Sequence, residues 1–178
     1  MQTFSRRGFQ LRSASLETRL AYTFFLVLCM LGIATLFALA FGRAGASPAA
    51  IATYYRGGDT EMSFPKSFWQ LVEVSHFHLF TIPVVALILA HLLYATPASP
   101  RIRVALTLVI FTGTLLDVLG PWGVRYIAGA LAYVLMLGWA LLVVGALAII
   151  GLTLISMWGP IRWIAPLASP IARSQEDV

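Results

Sequence analysis

Charged residues are scarce in this sequence. Only 11% of the 178 residues are charged and 60% are hydrophobic, whereas a soluble domain carries charges at about a quarter of its positions. This number of charges is too small to cover a water-facing surface. Lipid must therefore be the solvent for most of the chain. The twelve basic residues lie almost entirely between apolar stretches, an arrangement that orients membrane proteins. The net charge of +5 therefore gives no reason to expect a nucleic-acid partner.

Cysteine and the common catalytic motifs are also missing. Cys29 is the one cysteine, and the sequence has no CxxC or CxxCH motif, so disulfides, zinc ribbons and covalently attached c-type haem are excluded within this chain. The Walker, GxSxG, HExxH and dinucleotide-binding motifs are absent as well. We therefore expect a subunit of a membrane complex rather than a stand-alone hydrolase or nucleoside triphosphatase.

Long apolar stretches are what the sequence does contain. A helix needs roughly 20 apolar residues to cross a bilayer, and four stretches reach about that length, at about 20–41, 67–94, 104–120 and 126–158. They predict an all-α integral-membrane four-helix bundle that forms a single domain over residues 1–178. The first stretch has 22 residues, longer than the roughly 7–15 of a signal peptide, so we expect a retained helix. Pro121-Trp122-Gly123 predicts a tight turn between helices three and four.

The distribution of Lys and Arg predicts the orientation. Four lie in the N-terminal tail, two follow the second helix and two lie in the C-terminal tail, against four on the opposite side. Because basic residues favour the cytoplasmic side, both termini should lie in the cytoplasm, in a bacterial-type inner membrane. The loop 42–66 would then face the periplasm.

Five ionisable residues interrupt the predicted helices. They are Glu73, His76, His78 and His91 on helix two and Asp117 on helix three. Such a residue costs about 2.5–3.5 kcal/mol at the centre of a membrane helix, so these are the best functional candidates. At about 100° per residue, Glu73 and His76 share a helix face, whereas His76 and His78 point to nearly opposite sides. His91 lies about 20 Å deeper, towards the cytoplasm.

The histidine spacing carries a resemblance to a known family. His76 and His91 are fifteen residues apart on one predicted membrane helix, and this resembles the haem-bearing helices of b-type membrane cytochromes. The resemblance implies that His76 or His78 binds an outer haem b and His91 an inner one. No other helix has a histidine, so a homodimer or another subunit would supply the opposite ligands. The implied function is electron transfer in a respiratory or photosynthetic complex, with a periplasmic redox partner at loop 42–66.

A metal or quinol site is an alternative. Glu73-x-x-His76 places a carboxylate and an imidazole on one helix face, as in di-iron bundles. With His78 or Asp117 these residues could hold a single Cu or Zn ion. A histidine and a carboxylate near the periplasmic surface could instead accept protons from a quinol.

A third alternative requires no cofactor. The chain would be a non-catalytic accessory subunit whose polar cluster stabilises an interface with partner proteins or pigments. Asp117 would then form a structural ion pair with Arg125, and Glu73 would pair with Arg56 or Lys66. His91 would reach the lipid headgroups.

Overall fold

A computed structural model describes residues 11–58 and 62–160, and this part of the chain folds into five α-helices. They are α1 (Leu16–Ala44), α2 (Pro48–Arg56), α3 (Phe68–Tyr94), α4 (Pro100–Tyr126) and α5 (Ala132–Trp158). All except α2 are long and apolar enough to cross a membrane. The predicted all-α bundle with four spans is confirmed. Most of the tail residues that set the predicted orientation lie outside the described residues, so the sidedness of the termini stays a prediction.

Two of the spans, α1 and α4, begin before their apolar stretches. The Ser15 side chain accepts a hydrogen bond from Thr18 N and starts α1, four residues before the predicted beginning. Ser67 and Gln70 form a reciprocal capping box at the start of α3, and α4 begins at Pro100 directly after Ser99. Counting apolar residues misses the first turns of α1 and α4, because both turns contain charged residues.

The predicted turn at Pro121-Trp122-Gly123 was wrong, because α4 continues through it to Tyr126. Proline lacks an N–H group, so Pro121 leaves one carbonyl in the preceding turn without its usual donor. Breaking the helix there would leave several backbone groups unpaired, which is costly in an apolar environment. The connection to α5 instead contains a short 3-10 helix at Gly129–Leu131. Asp117 consequently lies about 13 Å inside the end of α4.

Loop 42–66 contains an unpredicted helix, α2. The Ser47 side chain caps it by accepting from Ala50 N, and Ile51 is fully buried beneath it. An Arg56 guanidinium nitrogen donates to Val124 O at 3.1 Å. These contacts hold α2 across the end of the bundle at which α4 ends and α5 begins, referred to below as the α2 end.

The centre of the bundle is the antiparallel pair α4 and α5, whose backbones meet at glycines. A Cβ atom on Gly113 would lie 2.5 Å from Leu142 N, and one on Gly145 would lie 3.2 Å from Ile110 Cα. Small residues allow this approach, and close packing is the main attraction between helices in lipid. In an 18-residue apolar window of the α5 span 44% of the residues are buried, against 6% in the corresponding window of α1. The fold therefore depends on α4 and α5 far more than on α1.

α1 packs against the bundle in its first half and again at its end, where the Phe41 ring meets the Trp139 ring edge-on and Ala44 is buried. Side chains between Tyr22 and Ile33 pack against the buried cluster that includes Leu89 and Ile149. Farther along, residues from Leu36 to Ala44 line a cleft. The packing thus leaves a cavity between α1 and the rest of the bundle near the α2 end.

We expect Gly113→Ala to destabilise the bundle by about 1–3 kcal/mol, the usual cost of overpacking a core, because the new methyl group would collide with the α5 backbone. Gly151→Ala is the matched control, since a Cβ there meets no atom within 4 Å. Thermal unfolding in detergent measures both variants. Equal melting temperatures for the two would contradict the close α4–α5 contact.

Candidate functional site

A hydrogen-bonded cluster joins α3, α4 and α5 at Asp117. His78 Nδ1 donates to Asp117 Oδ2 at 2.6 Å, and Trp139 Nε1 donates to Asp117 Oδ1 at 2.9 Å. The Asp117 side chain is only 5% exposed. Each carboxylate oxygen therefore has a donor from a different helix, which offsets the cost of burying it.

The cluster also fixes the protonation of the imidazole. A carboxylate can only accept, so the His78 nitrogen facing Asp117 must carry the proton. The neutral ring then presents Nε2 as an acceptor, and Nε2 has no partner among the described residues. Because 23% of the His78 side chain remains exposed, this nitrogen is available to a ligand.

His78 and Asp117 lie at the base of the cleft, whose volume is about 340 Å³. α1 contributes an apolar wall, α2 contributes two tyrosines at the α2 end, and α3, α4 and α5 complete the lining. Leu39 and Val74 lie at its edge and are 50% and 45% exposed, so the cleft opens on the surface between α1 and α3. The main lining side chains are Leu36, Phe37, Leu39, Ala40, Tyr54, Tyr55, Leu71, Val74, His78, Asp117, Pro121, Trp139 and Leu142.

Three charged side chains also line the cleft: Arg43, Lys66 and Glu73. The Lys66 ammonium lies 4.1 Å from the centre of the Tyr54 ring, a cation–π contact. None of the three forms an ion pair with a described residue. The cleft thus combines an apolar wall with a few polar and charged groups, the usual make-up of a small-molecule site.

Tyr55 is a partly buried titratable group that α2 brings to the cleft. Burial raises the pKa of the Tyr55 phenol, and the neighbouring Tyr54 and Asp117 raise this pKa further. The hydroxyl therefore keeps its proton at physiological pH and can act as a hydrogen-bond donor.

Of the other sequence-predicted residues, Glu73 shares the cleft with His78, whereas His76 and His91 lie outside it. Glu73 is exposed and lines the cleft. His76 is exposed and lies outside it, with its ring centre 4.9 Å from that of Phe80. Exposed His91 donates from Nδ1 to Leu87 O at 2.8 Å. The predicted divergence of His76 and His78 is confirmed.

Among the described residues, no three His, Cys, Asp or Glu side chains form a group that could hold a metal ion. Of the four suggested metal ligands, only His78 and Asp117 are joined by a hydrogen bond in the described part of the chain. Glu73 and His76 form no hydrogen bond with either of them. The Cu or Zn site stays a prediction.

The suggested ion pairs of the cofactor-free alternative do not form. Asp117 bonds His78 and Trp139, whereas Arg125 Nε donates to Lys66 O at 2.9 Å. The longer α4 explains this, because it separates Asp117 from Arg125 by two helical turns. Glu73 likewise has no ion pair among the described residues.

Two site residues were not predicted from the sequence. Trp139 lies in the middle of an apolar stretch, although tryptophan is usually found at membrane interfaces, and its buried N–H requires an acceptor. That requirement could have predicted a polar partner for Trp139 inside the bundle. Tyr55 gave none, because its position depends on α2 and on how α2 packs.

Fold and site together define a multi-pass membrane protein with a buried polar cluster beside a surface cleft. Residues 45–162 match the family model Aq_1264_TM, described as a transmembrane helical domain. Because this range covers more than half of the chain, the protein belongs to that family. No curated protein and no solved structure matches the chain.

We expect Asp117→Asn to lower the stability of the folded protein by about 1–3 kcal/mol, the cost of leaving one buried donor unpaired. The amide has one acceptor oxygen where the carboxylate has two, so Trp139 and the Nδ1–H form of His78 cannot both be bonded. His78 then either loses its partner or must move its proton from Nδ1 to Nε2. Glu73→Gln makes the same chemical change at an exposed side chain and should have little effect. Melting temperatures in detergent compare the two. An unchanged melting temperature for Asp117→Asn would contradict the cluster.

Proposed function

We propose that the protein is a membrane electron-transfer subunit that binds a quinol in the cleft. The observation that carries the proposal is the ordered His78–Asp117 pair at the base of a cleft with apolar walls. A quinol gives up protons and electrons together, so its site needs a positioned base inside the membrane. An ionisable side chain inside a membrane helix usually has a function. The His78 imidazole is held by Asp117 and is partly exposed, so it is placed to contact a ligand.

The shape of the cleft supports a lipophilic ligand. Its volume of about 340 Å³ lies at the lower end of the usual range for ligand sites and suits one substituted ring. Leu39 and Val74 border the opening on the helix surfaces, where the hydrocarbon tail of a quinol would lie. Such a ligand could enter from the bilayer without crossing the α2 end.

His78 is suited to take the quinol proton. Its Nε2 would accept the hydroxyl hydrogen as a general base, and the Asp117 carboxylate would stabilise the resulting imidazolium, as carboxylates do in other histidine-based sites. Trp139 holds the carboxylate from its other oxygen. The two electrons would pass one after the other to a redox partner that carries its own one-electron cofactor and docks near loop 42–66. The second proton would also leave through His78, after the first has passed on to water.

We expect the detergent-purified protein to bind decylubiquinol, with affinity at least tenfold weaker in His78→Phe because the acceptor is lost. Isothermal titration calorimetry measures the binding. Thr81→Val is the control, since it removes a polar group from α3 that bonds only Phe77 O of its own helix and does not line the cleft. Equal affinities in wild type and His78→Phe would rule out the proposed role of the pair.

Haem b is a second candidate ligand, and the hydrogen bond that His91 forms through its Nδ1 favours it. Its Nδ1 donates to Leu87 O, which leaves Nε2 for a metal, as is usual for metal-binding histidines. His76 and His91 are both exposed on α3 and about 22 Å apart along the helix. The opposite ligands would come from a second copy or from another subunit. Haem would supply one-electron transfer.

We expect protein purified from membranes that contain its native partners to show a b-type haem band in a reduced-minus-oxidised spectrum. His91→Ala and His76→Ala should each remove part of it, because each residue would bind a different haem. Leu87→Ala is the control, since the backbone carbonyl that orients His91 is kept. A colourless protein, or a band untouched by both histidine substitutions, would exclude haem ligation by these residues.

A further inference from the structure

The Tyr55 hydroxyl is a polar group without a protein partner. Tyr55 lines the cleft, and its hydroxyl makes no hydrogen bond to any described residue. The hydroxyl oxygen retains some accessible surface, because the fully buried polar atoms without a partner do not include it. A buried tyrosine usually satisfies its hydroxyl, so the cleft is where this donor can be used.

Tyr55 is held in place from two sides. Its carbonyl accepts from Lys66 N at 3.0 Å, which ties α2 to the segment before α3. Its ring meets the Tyr54 ring edge-on, with 5.0 Å between their centres. The hydroxyl is therefore a positioned donor that needs little reordering when a ligand arrives.

The cleft then offers two complementary groups from different helices. His78 on α3 supplies an acceptor, and Tyr55 on α2 supplies a donor that keeps its proton. A ligand that carries a hydroxyl group and a second oxygen that accepts can satisfy both.

We infer that Tyr55 determines specificity by donating a hydrogen bond to the second ring oxygen of the quinol whose first hydroxyl is bound by His78. This inference rests on the proposed quinol site. It favours rings with two oxygens, because each oxygen can then form its own hydrogen bond with one of the two groups. A site with positioned polar groups rejects analogues that leave them unpaired.

The test compares two ligands in each of four proteins: wild type, Tyr55→Phe, His78→Phe and Tyr126→Phe. Decylubiquinol carries the second ring oxygen, and 4-decylphenol has a single oxygen. Calorimetric titration of the detergent-purified full chain should show that Tyr55→Phe weakens decylubiquinol binding about tenfold, the effect of one lost hydrogen bond. The affinity for 4-decylphenol should not change. Tyr126→Phe is the control, since it also removes a hydroxyl near the α2 end but lies outside the cleft.

The outcomes separate the two proposals. If wild type binds neither ligand, the quinol site and the role of Tyr55 both fail. If His78→Phe loses decylubiquinol binding while Tyr55→Phe keeps it, the quinol site stands and the role of Tyr55 is overturned. Equal weakening of both ligands by Tyr55→Phe would mean that the residue only supports the fold, which also overturns the inference. The ratio of the two affinities within one protein does not depend on how much of it is folded.

Discussion

A carboxylate buried among membrane helices must receive hydrogen bonds, and much of this structure follows from how Asp117 receives them. One oxygen is bonded by His78 and the other by Trp139, so α3, α4 and α5 must meet at one depth with these side chains turned inwards. A partly satisfied carboxylate would be worse than an apolar residue at this position. The requirement therefore fixes the rotation of three helices about their axes, which apolar packing in lipid specifies only weakly.

The continuity of α4 and its close contact with α5 make this arrangement possible. Gly113 brings the two backbones together, and the helix that continues past Pro121 places Asp117 well inside the bundle rather than at a turn. The same contact explains why α1 can be peripheral. With the core formed by α4 and α5, the outer part of α1 is left to border a cleft instead of filling it.

The sequence predicted the coarse fold because membrane insertion depends on the length and polarity of apolar stretches, which can be read directly. It also predicted that His76 and His78 diverge, since that follows from helix geometry. It did not pair Asp117 with His78, because the pairing depends on which helices are neighbours and on where α4 ends. Pro121 and Gly123 are turn signals in water, but in lipid the cost of unpaired backbone groups outweighs them. The position of Tyr55 in the cleft could not be predicted either, because it depends on how α2 packs against the bundle. Contacts such as the hydrogen bond from Arg56 to Val124 O determine that packing.

The residues that line the cleft fall into two groups, those inside the range of the family match and those on α1, which precedes it. Tyr55, His78, Asp117 and Trp139 all lie within residues 45–162, whereas α1 precedes that range. The polar groups thus belong to the transmembrane domain shared by the family, and α1 adds an apolar wall together with Arg43. The cleft therefore includes side chains from outside the matched range, and its shape depends on α1 as well as on the domain. α1 also contacts the Asp117 cluster directly, because its Phe41 ring meets the Trp139 ring edge-on with 6.1 Å between their centres. The position of α1 and the packing around the cluster are therefore coupled.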